Sequence, residues 1–483
     1  MEENNMKKLI SVLLVACMLL TGCSGGGDGG GNKPKPEDSK IVVWVGEESA
    51  EFYQKVCDEY VAAHPDFGYT VTVKGMDTGA VAGTVTNDPS AAADIFTVAH
   101  DNIGKLAATQ CAKPFADESL IRQVKADNPA SFQNVIYSTL NGKEYLYGVP
   151  YISQALFMYY NKAKVSDRQA ETFEGLRDAA KAAGCKAITV TGDDGFNNSW
   201  PLLASRVPDH NTSVKIYAGA EAVSGGSKGT SNCQGDDTVA IVRWLQEYAA
   251  DPNGFKWASS DGWEADLKNG GALAVIGGAW HYNSAKAALS ETNLGIALIP
   301  TFTLTDAACA GLSGVKAGDV YRGGTFADCK VFMLNATSSA DKYAALQTLV
   351  KYMSSKEVQN ESYVNCLNVP AYVGASDFIK SCFDNGKVTE SQYMLACKQV
   401  EMAEWGIPQP FLTGTLNTYY YSKNAPAVLR AIIDKTPYPT TGDVILSETE
   451  SLEGIRKGLY MMEYLWMHGQ NPKEFPATLP VQA

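Results

Sequence analysis

Five consecutive apolar residues, Ile41-Val42-Val43-Trp44-Val45, run directly into a stretch whose apolar residues recur with helical spacing. A run that short and that apolar suits a strand buried on both faces. From Ser49 to Ala63, Phe52, Val56 and Tyr60 fall on one helical stripe, which ends near Pro65. Tyr69-Thr70-Val71-Thr72-Val73 then alternates as a strand does. Strand, helix and strand in that order make a β-α-β unit, the hallmark of parallel sheet covered by helices. The pattern recurs. Strands are expected over 93–98, 187–191, 272–276 and 294–299, and helices over 102–109, 172–183, 238–250 and 283–290. A helix over 340–353 follows Ser338 and Ser339, both good N-cap residues, and the chain beyond Asp377 reads as mostly helical. Strand spacing is too irregular for an eight-fold barrel, so the expected class is α/β with open sheets.

The first forty residues follow a different logic. Lys7 and Lys8 precede an apolar run from Leu9 to Leu20, too short to span a bilayer but suited to a secretory signal peptide. It closes on Leu20-Thr21-Gly22-Cys23, which resembles the bacterial lipobox. On this reading residues 1–22 are removed and the Cys23 thiol takes a diacylglycerol. Ser24 to Asn32 holds six glycines, and Lys33-Pro34-Lys35-Pro36 follows. Residues 23–40 therefore read as lipidated cysteine and flexible tether. Translation starts at Met1 or Met6, since Glu2 and Glu3 are unusual ahead of a signal sequence.

The formal charge of −13 argues against a nucleic-acid partner, and no basic patch offsets it. Apart from Cys17 and Cys23, nine cysteines are scattered without a C-x-x-C or zinc spacing, an odd number that cannot all pair. Partial disulfide bonding and free thiols are both open. Catalytic signatures are absent: there is no H-E-x-x-H, no Walker lysine loop and no dinucleotide fingerprint. G-x-S-x-G occurs around Ser24 and Ser227, but neither follows a strand as a nucleophile elbow must. The five histidines lack metal spacing, and His100-Asp101 reads as a polar pair at a cleft rim. No cofactor, metal or catalytic residue is expected.

Several blocks resemble, in order, the bacterial extracellular solute-binding proteins of the maltose-binding type that serve ABC importers. They are Ala93 to Asp101, Tyr147-Gly148-Val149-Pro150-Tyr151 with Ala155 to Lys162, Thr172 to Leu176, Ser199-Trp200-Pro201-Leu202, Ala274 to Trp280 with Ile299-Pro300-Thr301-Phe302, and Ile407-Pro408-Gln409 with Tyr419-Tyr420-Tyr421. The resemblance covers nearly all of residues 40–465. It implies a periplasmic-binding-protein-like fold, two α/β lobes joined by a hinge with the ligand between them. Lobe one becomes 41–152 plus 328–372 and lobe two 153–320 plus 376–483, with crossings near 152–155, 321–327 and 370–376. It also implies a lipid-anchored monomer on the outer face of the cell membrane, handing an oligosaccharide to permease subunits.

Site residues follow from the same match. Trp280 matches the family's stacking tryptophan, and Gly277-Gly278 lets the strand end open into a cleft. Tyr420 falls where a second stacking ring is common, Asp101 where an acid accepts sugar hydroxyls, and Glu48 in a loop where an acid often touches sugar. Gln154 stands in place of a frequent Glu, and Phe196 or Asn197 where an aromatic is expected. Val98 and Asn102 replace a common Trp and Arg, which points to an altered oligosaccharide or subsite rather than maltose itself. Two other readings remain at this stage: a surface glycoside hydrolase using Asp101 or Glu48, and a sensory relative that presents sugar to a receptor.

Overall fold

Residues 39–468 are described by a computed structural model, apart from 141, 192–194, 209–210, 213–232, 259–261, 410–423 and 439–447; beyond 468 it describes 470, 472–476 and 478–479. Cys23 and Tyr420 lie outside the described residues.

The opening β-α-β unit forms as the pattern implies: strand Lys40–Gly46, helix Ala50–Ala63 and strand Thr70–Met76. The buried stripe of the helix is Tyr53, Val56, Cys57 and Tyr60, with Phe52 only partly covered. The phase differs by one residue because Tyr53 packs edge-on to Tyr151 and Phe332, at 5.9 and 5.7 Å. Around this unit, six strands form one sheet in the order Thr70–Met76, Lys40–Gly46, Ile95–Ala99, Asp328–Asn335, Ala112–Lys113, with Val149–Gln154 also paired to Asp328–Asn335. Lys40–Gly46 and Ile95–Ala99 run parallel, with Val43 opposite Ile95. Asp328–Asn335 enters antiparallel to Ile95–Ala99, more than two hundred residues later in sequence.

A second sheet has five strands in the order Phe255–Ala258, Lys186–Thr191, Ala272–Gly277, Phe157–Asn161, Leu294–Ala297. The first three are parallel, and Phe157–Asn161 is antiparallel to both its neighbours. Each sheet has its own hydrophobic core. One core gathers residues from Ile41 to Ile152 and from Cys329 to Val358, and is centred on the stacked pair Tyr151 and Phe332, 4.2 Å apart. The other runs from Ala155 to Phe326 and resumes toward Leu465, around Trp244 stacked on Phe302 at 4.2 Å. The molecule is thus two α/β lobes, each built on an open sheet.

The chain passes between the cores at Ile152 to Ala155 and at Phe326 to Cys329, and the cores interleave between Val358 and Ala375. Hydrogen bonds from backbone N–H groups tie these passages together. Ser153 N donates to Val369 O (2.9 Å), Leu156 N to Thr325 Oγ1 (2.8 Å) and Ala327 N to Ile407 O (2.8 Å). Helix Tyr343–Met353 begins after a short 3-10 turn, Ala340–Lys342, so neither Ser338 nor Ser339 caps it. The Ser338 hydroxyl is drawn instead to Asp94, donating to Oδ1 at 2.7 Å. None of the nine cysteines of the folded region is in a disulfide.

Candidate ligand cleft

Three strand ends converge between the lobes. Lys40–Gly46 turns into the short Glu47–Ser49 helix, Ile95–Ala99 into His100–Asn102, and Ala272–Gly277 into Ala279–His281. Ligands of open α/β sheets sit beyond the carboxyl ends of strands, where such turns leave room and backbone dipoles. A cleft of about 830 Å³ lies there, lined from both lobes and from the passages between them.

Trp280 is the cleft's most exposed large apolar side chain, 44 % accessible. Phe196 supports it at 6.0 Å and is itself stacked on Phe326 at 5.7 Å. The glycines before Trp280 are required by close approach rather than by dihedral angle: a Cβ on Gly278 would overlap the Trp280 ring, and one on Gly277 the His281 ring. A flat indole is therefore presented to the cleft by packing, a suitable face for the C–H side of a sugar ring.

Opposite stand polar groups from lobe one. Asp101 is only 4 % exposed and accepts from the Asn102 amide at 3.1 Å. Burial pushes its carboxyl up to about 7. Asp328 is also buried, and burial together with the neighbouring Asp101 raises its carboxyl well above the usual range. The Gln409 backbone locks this pair to the wall: its N–H donates to Asp328 Oδ1 at 3.1 Å, and its carbonyl accepts from His100 Nε2 at 2.8 Å. That carbonyl assigns the proton to Nε2. Burial pushes the His100 imidazole down to about 4.

Of the residues singled out in the sequence, Glu48, Asp101, Asn102, Gln154, Phe196 and Trp280 all line this one cleft. Asn197 is not among the lining residues, and Tyr420 lies outside the described residues. The rim reading of His100 is corrected: it is wholly buried behind the wall, because its ring bridges to the Gln409 segment. Sequence reasoning missed Asp328 and Lys330. They sit two apart on a strand that is otherwise apolar, Asp328–Asn335, so both project to the same face. Charges at alternate positions of an apolar run were the available signal. Burial lowers the Lys330 ammonium from its ordinary value, while Glu48 and Asp77, from the same lobe, oppose that shift. Asn368 was also missed; its amide donates to Ser49 Oγ (3.0 Å) and Ser362 Oγ (2.8 Å). Among the described residues there is no cluster of metal-ligating side chains, and no helix long and apolar enough to cross a membrane.

Residues 55–379 match the sequence model of a family described as bacterial extracellular solute-binding protein. The chain belongs to that family. A maltooligosaccharide ABC transporter solute-binding lipoprotein of Streptococcus pneumoniae is 26 % identical over 313 residues, 61 % of this chain. The match spans 66 % of that relative's length, just under two thirds. Among solved structures, the maltodextrin-binding protein MalE1 of L. casei BL23 without ligand superposes with a TM-score of 0.67 at 19 % identity, covering 89 % of this chain and 98 % of that one. MalX from Streptococcus pneumoniae in complex with maltopentaose gives 0.60 at 16 % identity, covering 89 % and 100 %. These likenesses establish a shared fold: this solute-binding protein has the two-lobe architecture of the maltodextrin binders.

Proposed function

We propose that this solute-binding protein captures a maltodextrin-like oligosaccharide by closing its lobes over it, and delivers it to an ABC importer. The observation that carries the reading is the exposed Trp280 indole, facing buried carboxyl and amide groups across a cleft of about 830 Å³. An aromatic face binds sugar rings, and the amides and carboxyls exchange hydrogen bonds with hydroxyls. The names of the pneumococcal relatives point the same way. In this reading Trp280 stacks, while Asp101, Asn102, Gln154 and Glu48 bind hydroxyls. The passages at 152–155, 321–327 and 370–376 act as the hinge, and ligand favours the closed form by binding it more tightly. A lipid on Cys23 holds the protein at the outer face of the cell membrane. The protein binds and releases its sugar without cleaving it.

Calorimetry of the purified protein against maltose to maltoheptaose tests this. Saturable binding is expected with at least one oligosaccharide, and Trp280→Ala should weaken it by at least about tenfold, roughly 1.4 kcal/mol, with the fold intact. Wild-type affinity in that variant refutes the site, and no binding across the series refutes the substrate class. Reducing ends released from the bound sugar, and lost in Asp101→Asn, would make the protein a hydrolase instead.

A further inference from the structure

Lobe two contains a second cavity, of about 540 Å³, that shares no lining residue with the ligand cleft. It opens along strand Leu294–Ala297, which is the edge of its sheet and pairs only with Phe157–Asn161 among the described residues. Helix Glu390–Ala403 lines one side and the short helix Asp167–Ala170 contributes to the other. Leu294, Ile296 and Met394 make part of the lining apolar. Its size is ordinary for a small-molecule site.

One lining residue carries an unmet requirement. The Arg322 guanidinium is oriented by two neighbours: Nη1 donates to Ile299 O at 2.8 Å, and the group lies 5.2 Å from the Trp405 ring centre. Its Nε is buried and finds no acceptor, and no carboxylate comes within ion-pair distance of it among the described residues. A buried N–H left without an acceptor is costly, and a guanidinium is matched best by a carboxylate. Lys162 and Lys398 add two further cations to the lining, and Asp167, Glu171 and Glu390 add three carboxyls, so the cavity presents both signs of charge. A zwitterion satisfies both signs.

We propose that this cavity is a second ligand site, for an apolar amino acid or short peptide, whose carboxylate is held by Arg322 and whose ammonium faces Glu171. Its aliphatic side chain lies over Ile296 and Met394. This assignment stands whatever the cleft between the lobes binds.

Saturation-transfer NMR and calorimetry with leucyl-leucine test it, with leucyl-leucinamide lacking the carboxylate and N-acetyl-leucyl-leucine lacking the ammonium. The unmodified dipeptide should bind the full-length protein, and both derivatives should bind more weakly. Arg322→Gln should weaken dipeptide binding by at least about tenfold, with folding checked by circular dichroism. Met394→Glu places a repelling charge in the cavity and keeps Arg322, so it should also abolish binding, while Trp280→Ala leaves it unchanged. No dipeptide binding, equal binding of all three compounds, or wild-type affinity in both cavity variants overturns the proposal.

Discussion

Asp101→Asn should change how stability depends on pH, with a sign that the burial of this carboxyl dictates. In the folded protein the group holds its proton up to about 7, against 3.8 for an exposed aspartate. Between those values the folded state binds one more proton than the unfolded chain. The stabilising contribution is therefore fully present below about pH 4 and is lost as pH rises through 7. One proton is worth about 1.4 kcal/mol per pH unit, so roughly 4 kcal/mol is lost across the window. The wild-type profile alone would not resolve this, because His100 acts in the opposite direction and the neighbouring Asp328 in the same one. The His100 imidazole is pushed down from 6.5 to about 4, so the unfolded chain binds the extra proton and stability rises with pH through that range. The difference between variant and wild type removes the His100 contribution and reports Asp101 together with the part of the Asp328 shift that Asp101 causes. Asparagine is nearly isosteric and keeps an oxygen to accept the Asn102 bond. Urea unfolding from pH 4 to 8, followed by tryptophan fluorescence, should show Asp101→Asn gaining on wild type steadily between pH 4 and 7 and levelling above it. Parallel profiles, or a wild type that gains on the variant as pH rises, would refute the argument that burial dominates this site.

Other consequences are simpler to test. Gly278→Ala should displace the Trp280 ring from its present position and weaken oligosaccharide binding toward the level of Trp280→Ala, read by calorimetry. Phe332→Ala removes a fully buried ring stacked on Tyr151 and should cost about 3–5 kcal/mol in urea unfolding. Because none of the nine cysteines is in a disulfide, reductant should leave the thermal midpoint unchanged. Thiol labelling of the native protein should be confined to the half-buried Cys185, Cys309, Cys366 and Cys397, with the five buried thiols reacting only after unfolding; mass spectrometry of the labelled peptides counts them.

Most of the cleft was legible because a strand end and the turn after it are contiguous in sequence. Gly277-Gly278 before Trp280, and His100-Asp101-Asn102 after an apolar strand, each announce a turn that a sheet will aim outward. The sequence was less informative where the neighbour came from elsewhere in the chain. Helical spacing chose Phe52, yet Tyr53 is the buried ring, since Tyr151 and Phe332 arrive from strands about a hundred and almost three hundred residues away. Ser338 had the chemistry of a cap, but Asp94, at the start of the neighbouring strand Ile95–Ala99, claimed its hydroxyl. His100 looked exposed in a polar triplet and is sealed by a backbone carbonyl more than three hundred residues on.

The amino-acid order by itself determined the class of fold, because periodicity, apolar runs and turn residues are local properties. Trp280 and Asp101, picked out through the family resemblance, each follow the end of an apolar strand and line the cleft. Only the tertiary structure decided that Asp328 stands beside Asp101 and that Lys330 shares their cleft. These groups come together because Asp328–Asn335 inserts antiparallel next to Ile95–Ala99, a pairing set by long-range packing rather than local pattern. The proton held by Asp101 follows from that insertion as well, since a carboxyl's affinity for its proton depends on how much of the surrounding space the rest of the chain has taken from water.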